Sequence, residues 1–326
     1  MKVFVTTIPF GEINELPLAM LKDHDIEFHI NPYGRKITTE ELSELIHDYD
    51  GLIAGTEIID ASVLDKAKKL KIISRVGIGL DGVDLNLARD RGITCTYTPD
   101  APAPAVAELT MGLILQLARR IGTANSSMKN GLWRRYDGFR IPEMTIGVIG
   151  VGRIGARVIR RLSAFGSPRI LVNDLNTNKK ITDSLKLSWV TKDQIYQESD
   201  LITTHVPLTL ETKGLISSRE LGMMKPSAML INTARGGIVD EEALYNALDQ
   251  NIIHSAAIDV FEKEPYSGPL TTLDNCFLTC HMGSMSFDCR SRMEIEATQE
   301  IINYYTGAPH NKLVPNSEYL IQNVMG

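Results

Sequence analysis

Thr145-Ile146-Gly147-Val148-Ile149-Gly150-Val151-Gly152-Arg153-Ile154-Gly155 is the stretch that decides the fold. Glycines alone mark many turns, so spacing and context carry the weight here. An apolar run precedes the turn, and a helix-like run follows it with Ala156, Val158, Ile159 and Leu162 on one face. Gly150 permits a tight turn, Gly152 admits close approach of a ligand's phosphates to the backbone, and Gly155 allows helix and strand to pack closely. The helix that starts there offers unpaired N–H groups and the positive end of its dipole to an anion. The next strand-like run ends Leu171-Val172-Asn173-Asp174, with Asp174 nineteen residues past Gly155. A carboxylate at that place accepts hydrogen bonds from both adenosine ribose hydroxyls and repels a 2′-phosphate, so NAD is expected rather than NADP.

Outward from this turn, six strand-like runs follow one another: Thr145–Ile149, Ile170–Asn173, Leu201–His205, Met229–Thr233, Ala256–Val260 and Phe277–Thr279. Six is the count of a complete dinucleotide-binding (Rossmann) sheet. The first hundred residues form a separate α/β series. Val3–Ile8, Glu27–Asn31, Gly51–Ala54, Ile72–Val76 and Thr94–Tyr97 read as strands; Leu18–Asp23, Thr39–Asp48 and Ala61–Lys69 read as helices, the second capped through Thr38-Thr39-Glu40-Glu41. Thr98-Pro99-Asp100-Ala101-Pro102-Ala103-Pro104 reads as an extended crossing, because proline restricts itself and its predecessor. A long apolar helix, roughly Ala105 to Ile121, comes next, and one helix from about Asp288 to Tyr305 precedes a short tail. The expected class is therefore α/β, with two doubly wound parallel-sheet domains.

Bulk properties agree with that class. At 326 residues the chain exceeds one comfortable core. Its 43% hydrophobic and 23% charged residues are ordinary for a globular protein. A net charge of -6 leaves no basic excess for nucleic acid. No apolar run is long enough to span a bilayer, and the start lacks the long apolar run of a secretory signal, so a cytoplasmic protein is expected. Cys95, Cys276, Cys280 and Cys289 show no CxxC pairing, which suits reduced thiols. A zinc site built from Cys276, Cys280 and His281 lacks an apparent fourth ligand, and no metal is expected.

Ligands of open parallel sheets bind beyond the carboxyl ends of the strands. Three candidates lie just past such ends: Arg235, Glu264 and His281. Singly, each is more often structural than catalytic; in one crevice beside a nucleotide turn they suit hydride transfer at the carbonyl of a 2-oxo acid. His281 would give and take the proton, Glu264 would orient its ring, and Arg235 would hold the substrate carboxylate. His205, at another strand end, is a rival base that is expected nearer the cofactor.

These residues carry a resemblance to the D-isomer-specific 2-hydroxyacid dehydrogenase family, closest to its phosphoglycerate dehydrogenase-like branch. It extends over Arg75-Val76-Gly77-Ile78-Gly79-Leu80-Asp81, Ala105-Val106-Ala107-Glu108-Leu109-Thr110, the Gly150 turn, His205-Val206-Pro207-Leu208-Thr209, Asn232 to Asp240 and Ile258 to Pro265. The resemblance implies Arg235, Glu264 and His281 as the catalytic set. Implied cofactor contacts are Gly150, Gly152, Arg153, Ile154, Gly155, Asp174, His205, Pro207, Thr212, Thr233, Ala234, Asp259 and Gly283. The backbone of Val76, Gly77, Ile78 and Gly79 would hold the substrate carboxylate, with Arg235 and His281. It implies a discontinuous, flavodoxin-like substrate domain from residues 1–100 and 286–326 around an NAD-binding Rossmann domain at 101–285. It also implies a homodimer.

The chain departs from the phosphoglycerate-type pattern at three places. Ala54-Gly55 stands where Arg-Ser is usual, Pro102 replaces an Asn, and Cys280 replaces a Pro before the histidine. The first change removes a phosphate partner. Glyoxylate or hydroxypyruvate reduction, a specialised biosynthetic 2-hydroxy acid, and a non-catalytic NAD(H)-sensing role are the alternatives.

Overall fold

The computed structural model describes residues 1–177, 185 and 187–325. They divide into two compact units, Met1–Pro102 with Ser284–Gly326, and Ala103–Gly283.

The first unit holds a five-stranded parallel sheet of β1 (Lys2–Val5), β2 (Glu27–Ile30), β3 (Gly51–Ala54), β4 (Ile72–Arg75) and β5 (Thr94–Tyr97), in the order β2-β1-β3-β4-β5. Strands β3 and β4 are buried at all four positions, as expected for a sheet covered on both faces. Helices α1 (Leu16–Asp23), α2 (Thr39–Leu45), α3 (Ala61–Leu64) and α4 (Leu85–Asp90) connect them. The cap expected before α2 is a capping box, in which Thr38 Oγ1 accepts from Glu41 N–H and the Glu41 carboxylate accepts from Thr38 N–H. The helix expected over Ala61–Lys69 stops at Leu64, because the chain must turn to bury Ala67 and Leu70 before β4.

In the second unit, α5 (Pro102–Arg119) corrects the expected extended crossing. Pro102 opens the helix and Pro104 lies in its first turn, where the N–H groups lack intrahelical partners and a missing one costs nothing. Arg120, in the left-handed region at φ 53, breaks the helix, and α6 (Ile121–Lys129) follows.

A seven-stranded parallel sheet, one strand more than expected, then runs β12-β11-β10-β9-β6-β7-β8. Its members are β6 (Thr145–Ile149), β7 (Arg169–Asn173), β8 (Leu187–Trp189), β9 (Leu201–Thr204), β10 (Met229–Asn232), β11 (Ser255–Ile258) and β12 (Cys276–Leu278). The chain moves from β6 outward to β8, then returns to β9 and continues on the other side. The topological switch therefore lies between β6 and β9, where such sheets bind ligands. Helices α5 and α7 (Gly155–Ala164) help close one core; α8 (Lys192–Glu198), α9 (Ser218–Met223) and α10 (Glu241–Asp249) help close the other.

The chain re-enters the first unit with α11 (Phe287–Thr306) and α12 (Asn316–Met325). The segment between them is more than a tail: Leu313 pairs antiparallel with Thr96, and Val314 and Tyr319 are buried in the core.

Candidate active site

Strand register in the second unit sets the candidates in one row. Ile149 pairs with Thr204, Thr204 with Asn232, Asn232 with Ile258, and Ile258 with Leu278. The next residue on each strand is Gly150, His205, Thr233, Asp259 or Thr279, so five loops leave the carboxyl edge side by side. Ladder-type bonds continue into this row, from His205 N–H to Ile149 O (2.7 Å) and from Asp259 N–H to Asn232 O (3.0 Å).

Around the glycine turn, Gly150 has φ +96, which an L side chain rarely adopts. A Cβ on Gly155 would lie 1.9 Å from Gly150 O, whereas one on Gly152 would meet nothing within 4 Å. The turn is thus packed shut on its inner side and open outward, as a dinucleotide cradle requires. Asp174 Oδ2 accepts from Val151 N–H at 2.6 Å, and Oδ1 accepts from Asn176 N–H at 2.9 Å. These bonds fix the carboxylate beside the turn. Arg153 and Ile154 lie within the turn, before α7.

His205 lies across the switch point from Gly150. Its Nε2 is 3.0 Å from Thr203 Oγ1, while its Nδ1 is buried with no partner among the described residues. Desolvation pushes its pKa down to about 3, so the ring is neutral although part of the residue's surface is accessible. A neutral, nearly non-basic imidazole is poorly suited to acid–base work near neutral pH. On the following loop, Thr212 Oγ1 donates to Pro207 O at 2.6 Å. Thr233 Oγ1 lies 2.9 Å from Thr110 Oγ1 on α5, and buried Ala234 receives Asn232 Oδ1 on its N–H at 3.0 Å.

His281 and Glu264 meet. The imidazole Nδ1 is 2.9 Å from Glu264 Oε1 and 2.8 Å from Oε2, and Oε1 also accepts from Phe261 N–H at 3.1 Å. His281 is held in the left-handed region at φ 51. Asp259 props this conformation from beneath: Oδ1 accepts from Thr279 Oγ1 (2.6 Å) and Met282 N–H (2.9 Å), Oδ2 from Gly283 N–H (3.0 Å), and its backbone O from His281 N–H (2.7 Å). Sequence spacing placed Asp259 and Gly283 near the cofactor but could not show this prop. The Thr279 hydroxyl that completes it carries no motif signal. Arg235 is half-buried; its Nη1 donates to Ala234 O at 2.7 Å, and its own carbonyl accepts from Asn232 Nδ2 at 2.8 Å.

Val76, Gly77, Ile78 and Gly79 belong to the first unit, on the loop leaving β4. Val76 N–H is bonded to Ala54 O (2.9 Å), and Gly77 N–H to Thr98 Oγ1 (2.8 Å) and Arg75 O (3.1 Å). Among the described residues, the N–H groups of Ile78 and Gly79 have no partner, so these two are available to an anion. The buried Arg75 side chain braces the loop by donating from Nη1 to Val76 O. Thr98 and Arg75 are supports that motif reading did not single out.

Comparison with known proteins agrees with this geometry. Residues 111–283 match the family model described as D-isomer specific 2-hydroxyacid dehydrogenase, NAD binding domain. A glyoxylate reductase from Thermococcus gammatolerans is 38% identical over 94% of this chain and 93% of its own length. A D-3-phosphoglycerate dehydrogenase from Methanocaldococcus jannaschii is 43% identical over 76% of this chain, which spans only 48% of that longer protein. The crystal structure of D-lactate dehydrogenase from Aquifex aeolicus, complexed with NAD and lactic acid, aligns with TM-score 0.86 and 25% identity over 96% of this chain and 99% of that one. With its glycine turn, its ribose-directed Asp174 and these relatives, the chain belongs to the D-isomer-specific 2-hydroxyacid dehydrogenases, NAD-dependent oxidoreductases of the CH–OH group.

Proposed function

We propose that the chain interconverts a small D-2-hydroxy acid and its 2-oxo acid at a site built on Arg235, Glu264 and His281. The observation that carries this reading is the contact of both Glu264 oxygens with His281 Nδ1. A carboxylate there favours the protonated ring and leaves Nε2 as the nitrogen that works. NAD, when bound, supplies or accepts the hydride. In reduction, His281 gives its Nε2 proton to the carbonyl oxygen; in oxidation it takes that proton back from the hydroxyl. Arg235 offers a planar fork that holds the substrate carboxylate and polarises the carbonyl. The amides of Ile78 and Gly79 share the carboxylate.

The same reading makes Met1–Pro102 with Ser284–Gly326 the substrate domain and Ala103–Gly283 the NAD domain. Gly150, Gly152, Arg153, Ile154 and Gly155 would cradle the pyrophosphate, and Asp174 would bind the adenosine ribose. His205, Pro207, Thr212, Thr233, Ala234, Asp259 and Gly283 would line the rest of the cofactor site. Named relatives reduce glyoxylate and hydroxypyruvate, and both acids are candidate substrates here.

A cytoplasmic homodimer formed through the NAD domain completes the proposal. All four cysteines are free thiols, and no helix among the described residues is long and apolar enough to cross a membrane. Ile121, Met128, Leu132, Phe139 and the 82% exposed Trp133 cluster on α6 and the segment after it. A groove of about 530 Å³ beside them is lined by Leu117, Leu132, Tyr136 and Phe277. Such a concentration of exposed apolar side chains fits a subunit interface.

The test follows NADH oxidation with glyoxylate, hydroxypyruvate, pyruvate and a bulky 2-oxo acid, with His281→Ala as control. Turnover lost in the variant, with NADH still bound, is the expected result. Silence of the native protein across the panel would move the reading to an NAD(H)-sensing role. Gel filtration should give a dimer mass.

A further inference from the structure

Resting on that reading of the site, we infer that Glu57 is a specificity-determining residue that turns away 2-oxo acids carrying a second anionic group, phosphorylated ones above all. Glu57 follows β3 on the carboxyl edge of the first sheet and is only 3% exposed. Its Oε1 accepts from Gly55 N–H at 3.0 Å and from the Thr6 hydroxyl. Two donors converging on one oxygen mark it as an acceptor, and its charge is kept inside the lobe rather than presented to water.

Register places that charge beside the substrate loop. Ala54 pairs with Arg75 across β3 and β4, and Val76 N–H bonds Ala54 O. Gly55, to which Glu57 is bonded, is therefore one strand spacing, ~5 Å, from the start of the Val76–Gly79 loop. The two neighbouring strand ends differ in sign. The β4 end carries the Arg75 guanidinium behind the loop, and the β3 end carries the Glu57 carboxylate. Another buried cation near this edge, Arg290, is matched by Glu294 at 2.8 Å. One carboxylate on the β4 loop is thus favoured, and a further anion towards β3 meets a like charge with little water between them.

Packing makes this arrangement exclusive. A Cβ on Gly55 would lie 2.8 Å from Glu57 Oε2 and 3.0 Å from Thr7 Cα. The Arg-Ser pair of phosphoglycerate-type chains therefore cannot occupy Ala54-Gly55 while Glu57 stays where it is. This lobe has exchanged a cation that holds phosphate for an anion that repels it.

The experiment compares kcat/KM for hydroxypyruvate and for 3-phosphohydroxypyruvate, which differ only in the phosphate, using the full chain with NADH. The native protein should prefer hydroxypyruvate by one to two orders of magnitude, the size of a poorly screened like-charge contact. Glu57→Gln keeps the shape and removes the charge, and should narrow the ratio at least fivefold. An equal or inverted ratio in the native protein overturns the inference, and so does an unchanged ratio in a folded Glu57→Gln variant. If that variant does not fold, product inhibition of the native protein decides: D-glycerate should inhibit more strongly than D-3-phosphoglycerate, and the reverse order overturns the inference. Reduction of neither acid by NADH-bound protein would sink the dehydrogenase reading and this inference with it, a result distinct from turnover that ignores the phosphate.

Discussion

Glu264 Oε2 lies 2.8 Å from His281 Nδ1, on two loops separated by 17 residues and joined through β12. The carboxylate fixes both the ring's orientation and which nitrogen faces outward. Glu264→Gln retains one acceptor and loses the charge that favours imidazolium. Reduction of a 2-oxo acid at pH 7.5 should fall at least tenfold and recover in part as the pH is lowered, while NADH affinity changes little. A pH profile superimposable on the native one would show that Glu264 only fills space.

Two glycines of the turn should separate packing from ligand approach. Gly155→Ala forces a Cβ to 1.9 Å from Gly150 O. Backbone must move, so thermal unfolding should show a loss of about 3 kcal/mol or more, with NADH affinity lost as well. Gly152→Ala meets nothing within 4 Å. Its stability should stay within about 0.5 kcal/mol of native, yet NADH should bind at least tenfold more weakly. Equal effects at the two positions would contradict the cradle geometry.

Asp174 is presented to the ribose by backbone N–H groups of Val151 and Asn176. Asp174→Ala removes a charged acceptor worth about 1.5–3 kcal/mol. Fluorescence titration should show NADH affinity falling roughly ten- to a hundredfold and the gap between NADH and NADPH shrinking. Unchanged discrimination would place the 2′-hydroxyl elsewhere.

His205 should make the protein acid-sensitive. Its folded-state pKa, about 3, lies below the ordinary 6.5 because burial penalises the cation. A depressed basic group contributes stability that is complete above pH ~6.5 and is lost as pH falls towards 3. Between pH 7 and 4.5 the loss is roughly 1–2 kcal/mol after allowance for the residue's partial exposure. His205→Gln cannot titrate, so its urea midpoint should fall less across that interval. Parallel losses in both proteins would assign the acid response to other groups.

The parts of this architecture that could be read from residues are those with a steric or periodic signature. Gly51–Ala54 and Thr94–Tyr97 are short apolar runs bounded by turns, and both are strands over those spans. The Gly150 turn is legible because only glycine fits its φ and its closeness to α7. The edge strand Leu187–Trp189 has just three residues and no alternation to betray it. Helix α6 has little apolar content, and its separation from α5 depends on one Arg120 dihedral. Arg235, Glu264 and His281 were identifiable as polar residues past strand ends. Their supports were not: the roles of Asp259, Thr279, Thr98 and Glu57 depend on distances between loops far apart in sequence, which no local pattern encodes.

The sheet of the first unit is closed by material synthesised last. Ser74 Oγ on β4 donates to Ala297 O on α11 at 2.8 Å, across 223 residues, and α11 buries Met293, Ala297, Ile301 and Ile302. Residues 103–283, by contrast, are contiguous. On the ribosome the middle of the chain can therefore reach its native form while the opening hundred residues still lack one cover of their sheet. Folding is ordered inside-out, with the earliest residues to emerge the last to finish. Until α11 arrives, strands β3 and β4 keep an uncovered apolar surface, and that interval is when a chaperone has most to hold.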